Sequence, residues 1–322
     1  MLTVLMASHN GARTLPRVLD AYCKLDRPAG GWKLVIVNNG STDATQEIIA
    51  SFEARLPLTY IEEPALGKST ALNTGLSSIA GDLVVMTDDD AVPKHDWLVQ
   101  LRRAADSEPS FTIFGGAIVP LWEQEPQSWI LPFCEFMSIT GPSWEEGPIV
   151  ASRVFGPNMA VRSKIIEAGY RFDVSLGPAG SLYEMGEDAD FLQRISKAGF
   201  TAWHCKSAVV GHIIRKHQMK KKWMLRRARA LGHAMYRYEY VQYDEYKRPQ
   251  PVLLLGIPRY IIREVLEQAL HLTKARFTQD SDAVFQKRWE FHYLVGRALG
   301  GRDLHTLQPD ADSEEKQAGV FF

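Results

Sequence analysis

The stretch Asp82–Pro93, DLVVMTDDDAVP, limits what this chain can fold into more than any other. A short apolar run, Leu83–Met86, breaks into Asp88, Asp89 and Asp90 before Pro93 stops it. A run of that kind bounded by a polar cluster is the pattern of a buried strand in a parallel sheet. In open α/β sheets, ligands bind outside the carboxyl ends of such strands. Three carboxylates gathered there repel one another in a dry site. A hard divalent ion, Mg2+ or Mn2+, removes the conflict, because it takes oxygen ligands and commonly shares carboxylates with substrate phosphates. Taken alone, the triplet fits a solvated acidic turn equally well.

The residues before it repeat one scheme. Leu2–Ser8 reads as a strand with a polar exit at His9-Asn10-Gly11, and Thr14 is expected to cap a helix whose Leu15, Val18, Leu19 and Tyr22 share a face. Lys33–Val37 is a second strand, leaving through Asn38–Asp43 into a helix over Ala44–Phe52. Leu58–Ile61 is a third, leading to Gly67-Lys68 and a helix with Leu72, Leu76 and Ile79. Strands alternating with helices of this length predict an α/β fold with a parallel, doubly wound sheet. Asn10, Asn38–Asp43, Lys68 and Asp88–Asp90 then lie on one rim, the size of a nucleotide site.

Beyond Pro93 the alternation loosens. Asp96–Ala105 reads as helix, Thr112–Val119 as a strand kinked at Gly115-Gly116, and Phe155–Arg162 as another strand; Gln127–Thr140 has no assignable period. A Gly/Pro-rich loop, Leu176–Gly186, opens into Glu187-Asp188 and a helix that Gly199 ends, and Phe200–Cys205 and Ala208–Ile214 read as two strands. From Arg215 to Arg229 there are eight Lys or Arg and no acid. Leu253–Leu270 is an amphipathic helical stretch interrupted by Pro258, and the patternless tail from Arg302 is expected to be disordered.

The 322 residues suffice for one large domain or two modest ones. A net charge of −1 gives no overall argument for nucleic acid. Cys23, Cys134 and Cys205 form no CxxC pair, which fits a reducing compartment and three small buried side chains. No run approaches the roughly 18 apolar residues that span a bilayer, and the first strand lacks a basic leader, so a cytoplasmic protein is expected.

In order and spacing, these pieces resemble the family-two inverting glycosyltransferases with the GT-A fold: VIVNNGSTDAT at Val35–Thr45, GKSTALNTG at Gly67–Gly75, TDDDAVP at Thr87–Pro93, GPNMAVR at Gly156–Arg162, GEDADFLQRISKAG at Gly186–Gly199, then His212. The resemblance covers roughly residues 1–215. It implies a Rossmann-like, mostly parallel sheet with helices on both faces over 1–214, with a nucleotide half at about 1–93 and an acceptor half at about 94–214. A basic and amphipathic helical extension follows over 215–301, and a tail over 302–322.

The resemblance also implies a nucleotide-diphosphate sugar as donor and a divalent cation, Mn2+ or Mg2+. Its pattern places Asp88, Asp90 and His212 on the metal, and Asn10, Asn38, Lys68, Asp88 and Asp89 toward the nucleotide-sugar. Lys68 could pair with phosphate or hold the acidic rim, and Asn73 could brace a loop or touch ligand. His212 sits among Val209, Val210 and Ile213 and would read as a core residue without the motif before it. Inversion needs a base for the acceptor hydroxyl. Asp188 matches that position and opens a helix, where the macrodipole favours a carboxylate; Glu187 would orient the acceptor. As plain helix caps the two acids would be equally at home. Where many members carry acids after strand two, this chain has Asn38 and Asn39, and an amide both donates and accepts, so the base is left open.

Two other readings compete. A nucleotidyltransferase would need a basic, Gly-rich loop after strand one, and Ser8–Arg13 is a poor one. A membrane-surface or nucleic-acid-binding protein would use Arg215–Arg229 but would leave the acidic rim unexplained. The expected partners are therefore the donor, a saccharide or lipid-linked acceptor and, through the basic stretch, an anionic membrane at whose inner face the protein would lie, with no nucleic acid. QMKKKW at Gln218–Trp223 departs from the QxxRW of processive polymer synthases, which favours addition of one sugar in surface polysaccharide or lipid-linked oligosaccharide assembly.

Overall fold

The computed structural model describes residues 1–133, 144–179, 185–245, 249 and 251–307. It divides into two compact units, Met1–Lys216 and the chain from His217 on.

The first unit opens with β1 (Leu2–Ser8), α1 (Leu15–Tyr22), β2 (Trp32–Asn38), α2 (Thr45–Ala50), β3 (Leu58–Glu62), α3 (Lys68–Leu76) and β4 (Leu83–Asp88). The four strands are parallel, in the order β3-β2-β1-β4. Both faces are covered, which is why these strands read as unbroken apolar runs. Leu2, Val4 and Met6 pack with the inner face of α1, whereas Leu5, Val35 and Val37 pack with Ala71, Leu72 and Leu76 of α3. Thr14 precedes α1 but does not cap it with its side chain; its hydroxyl donates back to the Gly11 carbonyl at 3.3 Å.

The sheet continues with β5 (Ala91–Pro93), α4 (Trp97–Ser107), β6 (Ile113–Trp122), β7 (Gly147–Ile149), β8 (Met159–Arg162), α5 (Ser163–Glu167), α6 (Glu187–Lys197) and β9 (Ala202–Ile214). The order runs on as β4-β8-β6-β9-β5, with β7 also on β9. The expected mostly parallel α/β sheet is present, and beyond β4 it becomes mixed: β8 is antiparallel to both β4 and β6, while β6 and β9 are parallel. The predicted kink is present, as the β6 and β9 register shifts between Gly116 and Ala117. A Cβ on Gly116 would come within 2.2 Å of both the Ala208 carbonyl and the Asn158 amide. The two strands expected at 200–214 are one, since the exposed Lys206 and Ser207 are part of the continuous β9.

The second unit holds α7 (Lys221–Glu245), a hairpin of β10 (Leu253–Leu254) and β11 (Ile257–Pro258), α8 (Arg259–Thr278) and α9 (Ser281–Leu307). Helices α7 and α9 touch backbone to backbone: a Cβ on Gly296 would lie 2.1 Å from the Arg229 carbonyl, and one on Gly232 2.0 Å from that of Tyr293. Arg297 of α9 joins Glu239 of α7 at 2.6 Å and Glu264 of α8 at 2.9 Å. Residues 302–307, expected to begin a disordered tail, are the last turns of α9; residues 308–322 lie outside the described residues. The helical stretch expected from Leu253 starts only at Arg259, because Leu255 and Gly256 take left-handed φ of 53° and 74° and turn the chain into the hairpin. No helix among the described residues is long and apolar enough to cross a membrane.

Candidate active site

The carboxyl ends of β1, β2 and β4 bring their exit loops together. Asn10, at φ 54°, accepts from the Thr42 amide at 2.8 Å, and its own amide donates to Ser41 Oγ at 2.9 Å. It therefore fastens the β1 loop to the β2 loop. Asn38 is buried; its Nδ2 donates to the Tyr60 hydroxyl and to Glu62 Oε2, both at 3.0 Å. Asn39 is spent on the backbone, donating to the Glu63 and Ala65 carbonyls and accepting from the Gly67 amide. Of the two amides left open by the motif, Asn39 braces the β3–α3 loop, and Asn38 meets Tyr60 and Glu62, whose part the sequence does not signal.

The three aspartates point to three different partners. Asp88 Oδ1 pairs with Lys68 Nζ at 2.8 Å. Asp89 Oδ2 accepts from Ser8 Oγ at 2.5 Å, so this side chain braces β4 against β1. Burial and then the charge of Asp90 push the Asp89 carboxyl up to about 7. Asp90 lies 3.4 Å from His212 Nε2 and 3.1 Å from Arg215. Burial opposes its charge, but His212 and Arg215 outweigh that and hold Asp90 below the usual carboxylate range. Asp90 and His212 meet because β5 pairs with β9, placing Ala91 opposite His212, and because the Ile213 amide donates to the Asp90 carbonyl at 2.9 Å.

The predicted metal set is thus assembled only in part. No group of three His, Cys, Asp or Glu close enough to hold a metal occurs among the described residues, since Asp88 is turned to Lys68. The carboxylate and imidazole that do meet, Asp90 and His212, are donors that suit Mn2+.

Lys68 also reaches Glu187 Oε1, at 3.1 Å, so one ammonium links the aspartate strand to the Glu-Asp motif. Burial alone would lower its pKa, but Asp88, Glu187 and Asp188 hold it well above the usual lysine range. Of its two expected roles, the one realised here is holding the acidic rim. Glu187 is buried, and burial followed by the charge of Asp188 pushes its carboxyl up to about 7.

Asp188 does not cap α6; the cap position is Gly186, at φ 109°. Its Oδ2 accepts from the Gly156 amide at 2.8 Å. Asp188 and Glu187 share a small cleft with Lys68, Thr87, Asp88, Met159 and Phe172. Next to its Gly156 wall, Asn158 accepts from Trp97 Nε1 at 2.8 Å and donates to the Ala117 and Ala208 carbonyls, and Thr87 donates to the Pro157 carbonyl. The loop before α6 is fastened to α3. Asn73 exchanges two hydrogen bonds with the Phe172 backbone, and Ser69 donates to the Leu176 carbonyl at 2.7 Å. Asn73 is therefore a brace. Of Gln127–Thr140 and the Gly/Pro-rich loop Leu176–Gly186, residues 134–140 and 180–184 lie outside the described residues.

A family model, "Glycosyl transferase family 2", matches residues 3–168. The chain belongs to glycosyl transferase family 2. The match carries the family over β1 to α5 and includes the aspartate strand and the Gly156 loop. A dolichyl-phosphate beta-glucosyltransferase of Trichomonas vaginalis is 31% identical over 103 residues, 30% of this chain and 32% of that protein. A glucosyl-dolichyl phosphate glucuronosyltransferase of Haloferax volcanii is 22% identical over 199 residues, 61% of this chain and 64% of that protein. The chain spans a third or less of the length of the first curated relatives it matches. The mannosyltransferase PcManGT from Pyrobaculum calidifontis, solved with GDP-Man and Mn2+, shares the fold at a TM-score of 0.52 and 19% identity, over 98% of this chain and 78% of that one. TarS of S. aureus with UDP-GlcNAc does so at 0.54 and 15%, over 95% and 92%.

Proposed function

We propose that this member of family 2 is an inverting, metal-dependent glycosyltransferase that moves one sugar from a nucleotide-diphosphate sugar to an acceptor hydroxyl. The observation that carries the reading is the placement of Asp188. One carboxylate oxygen is held by the Gly156 amide, and Oδ1 has no hydrogen bond among the described residues. In the proposed step, Oδ1 takes the acceptor proton as the acceptor oxygen bonds to the anomeric carbon from the face opposite the leaving group. The bond from that carbon to the diphosphate breaks, and its electron pair leaves with the phosphate oxygen. Glu187, oriented by Lys68, holds an acceptor hydroxyl; near pH 7 it can donate or accept.

Asp90 and His212, with Asp88 released from Lys68, would hold a divalent cation, which when bound would neutralise charge accumulating on the diphosphate. Asn38, beside Tyr60 and Glu62, would meet the base. Asn10 and Asp89 support this site through the loop and strand they brace. The nucleotidyltransferase alternative is disfavoured because the Gly11 and Ala12 amides, which would cradle a triphosphate, already donate to Thr45 Oγ1 and Asp43 Oδ2.

A lipid-linked acceptor is supported by relatives whose names carry dolichyl phosphate; the setting proposed with it is the cytoplasmic face of a membrane. The domain division proposed with it is a catalytic region to about residue 214 and a helical extension after it. The test is a thermal-shift panel of UDP-, GDP- and dTDP-sugars with Mn2+, followed by NMR of the transferred sugar. Stabilisation by one donor and an inverted anomeric centre are expected; no response to any donor, or retention, would overturn the reading.

A further inference from the structure

We infer that the second unit carries a membrane-docking face, formed by the β10–β11 hairpin and one side of α8, and that its partner is an anionic lipid surface. Exposed large apolar side chains in the first unit are scattered singly along the chain, as on any soluble surface. In the second unit they concentrate between Val252 and Phe277. The hairpin tip is Leu255, 86% exposed and held at a left-handed φ of 53°, a position that usually goes to Asn or Gly. No described residue of the unit covers it.

On α8 the exposed residues Arg259, Arg263, Leu266, Leu270, Lys274 and Phe277 recur every three or four positions, so they form one stripe along the helix. Leu270 is 71% and Phe277 84% exposed. This stripe is continuous with the hairpin: the Arg259 amide donates to the Val252 carbonyl at 2.9 Å, and Val252, Arg259 and Arg263 line one shallow hollow.

The charge pattern selects the occupant. Along the stripe Arg259 and Arg263 on one side and Lys274 on the other flank Leu266 and Leu270, and the exposed acid beside it, Glu267, is paired with Arg263. Long basic side chains can lay their stems along an apolar surface while their heads reach outward to lipid phosphate. Apolar residues sunk to the acyl boundary, flanked by cations, describe an interfacial helix. A second copy of the same face would set Arg and Lys against Arg and Lys. Of the basic stretch that the sequence assigns to membranes, Arg215 is turned inward to Asp90.

The inference deepens the proposal of a lipid-linked acceptor, and its test needs no donor, so failure of docking and failure of the transfer chemistry are read separately. The full chain is cosedimented with phosphatidylglycerol/phosphatidylcholine vesicles and with phosphatidylcholine alone. Binding to the anionic vesicles is expected, weakened but not abolished by high salt. Leu254→Asp/Leu255→Asp and Leu266→Asp/Leu270→Asp should each reduce it at least about tenfold, the scale of losing buried leucines, with thermal unfolding unchanged. Leu131→Asp, at an exposed apolar site in the first unit, should leave it intact. Absence of binding, or variants that bind as the parent does, would overturn the inference. So would light scattering showing a dimer that Leu266→Asp/Leu270→Asp dissociates, which would make this a face between copies.

Discussion

The backbone amide of Gly156 donates to Oδ2 of Asp188 at 2.8 Å, across the gap between the strand β8 approach and the start of α6. A Cβ at position 156 would stand 2.3 Å from that same oxygen. Gly156→Ala should therefore displace the carboxylate while leaving the nucleotide half intact. Transfer is expected to fall by about tenfold or more, part of the roughly 10²–10⁴-fold that a well-placed general base contributes. Nucleotide affinity, measured by calorimetry on the same preparation, should stay close to that of the parent.

Asp188→Asn retains an oxygen for the Gly156 amide but cannot take a proton. The variant should fold, bind nucleotide and lose about 10²–10⁴-fold in turnover, the usual contribution of general base catalysis. Transfer, or slow donor hydrolysis, is the assay. Activity within about threefold of the parent, well inside that loss, would remove Asp188 from the chemistry.

Glu187 sets a pH dependence. Its folded pKa of about 7 lies above its ordinary value of 4.5, so between those values the native state holds a proton that the unfolded chain has lost. The associated stability is complete below about pH 4.5 and disappears as pH rises through 7. The melting temperature should therefore decline from acid toward neutral pH, and Glu187→Gln, which keeps the shape and cannot ionise, should flatten that decline.

Nucleoside diphosphate should bind more weakly after EDTA treatment and recover with Mn2+. Asp90→Ala should lose the metal response, because Asp90 is the carboxylate beside His212. Asp89→Ala, which removes a brace to Ser8, should lower the melting temperature and keep the response. Titrations of both variants with and without metal decide the matter; equal affinity in both conditions for the parent would sink the idea of a metal-held donor.

In the second unit, Gly296→Ala should force α9 away from the Arg229 carbonyl and cost about 1–3 kcal/mol, as overpacking does. Denaturant unfolding measures it.

The strands β1 to β4 were legible because burial on both faces writes itself as apolar runs, and the residues at their ends were legible because polar loops follow. What each of those residues does was less so. Lys68 reads as a helix-start lysine, and nothing in its neighbourhood along the chain announces Glu187, more than a hundred positions away. Asp88, Asp89 and Asp90 are adjacent in sequence yet turn to Lys68, Ser8 and His212 respectively. The hairpin at 253–258 is not legible in the sequence, because two-residue strands carry no period and its leucines match a helix face. The helical state of Arg302–Leu307 is not legible either, because a polar end of a helix resembles a tail.

Strand β5 is three residues long, yet it fixes the separation of Asp90 from His212 by pairing Ala91, Val92 and Pro93 with His212, Gly211 and Val210. Side chains alternate faces along a strand, so one residue added to β9 ahead of His212 would put Gly211 in its place and turn the imidazole to the other side. Substitutions at Val209, Val210 and Ile213 can be absorbed by neighbours, but an insertion or deletion in that stretch cannot. Relatives that use this pair are thus expected to vary in composition across β9 while keeping its length, with the gaps in their alignment pushed out to the loops on either side.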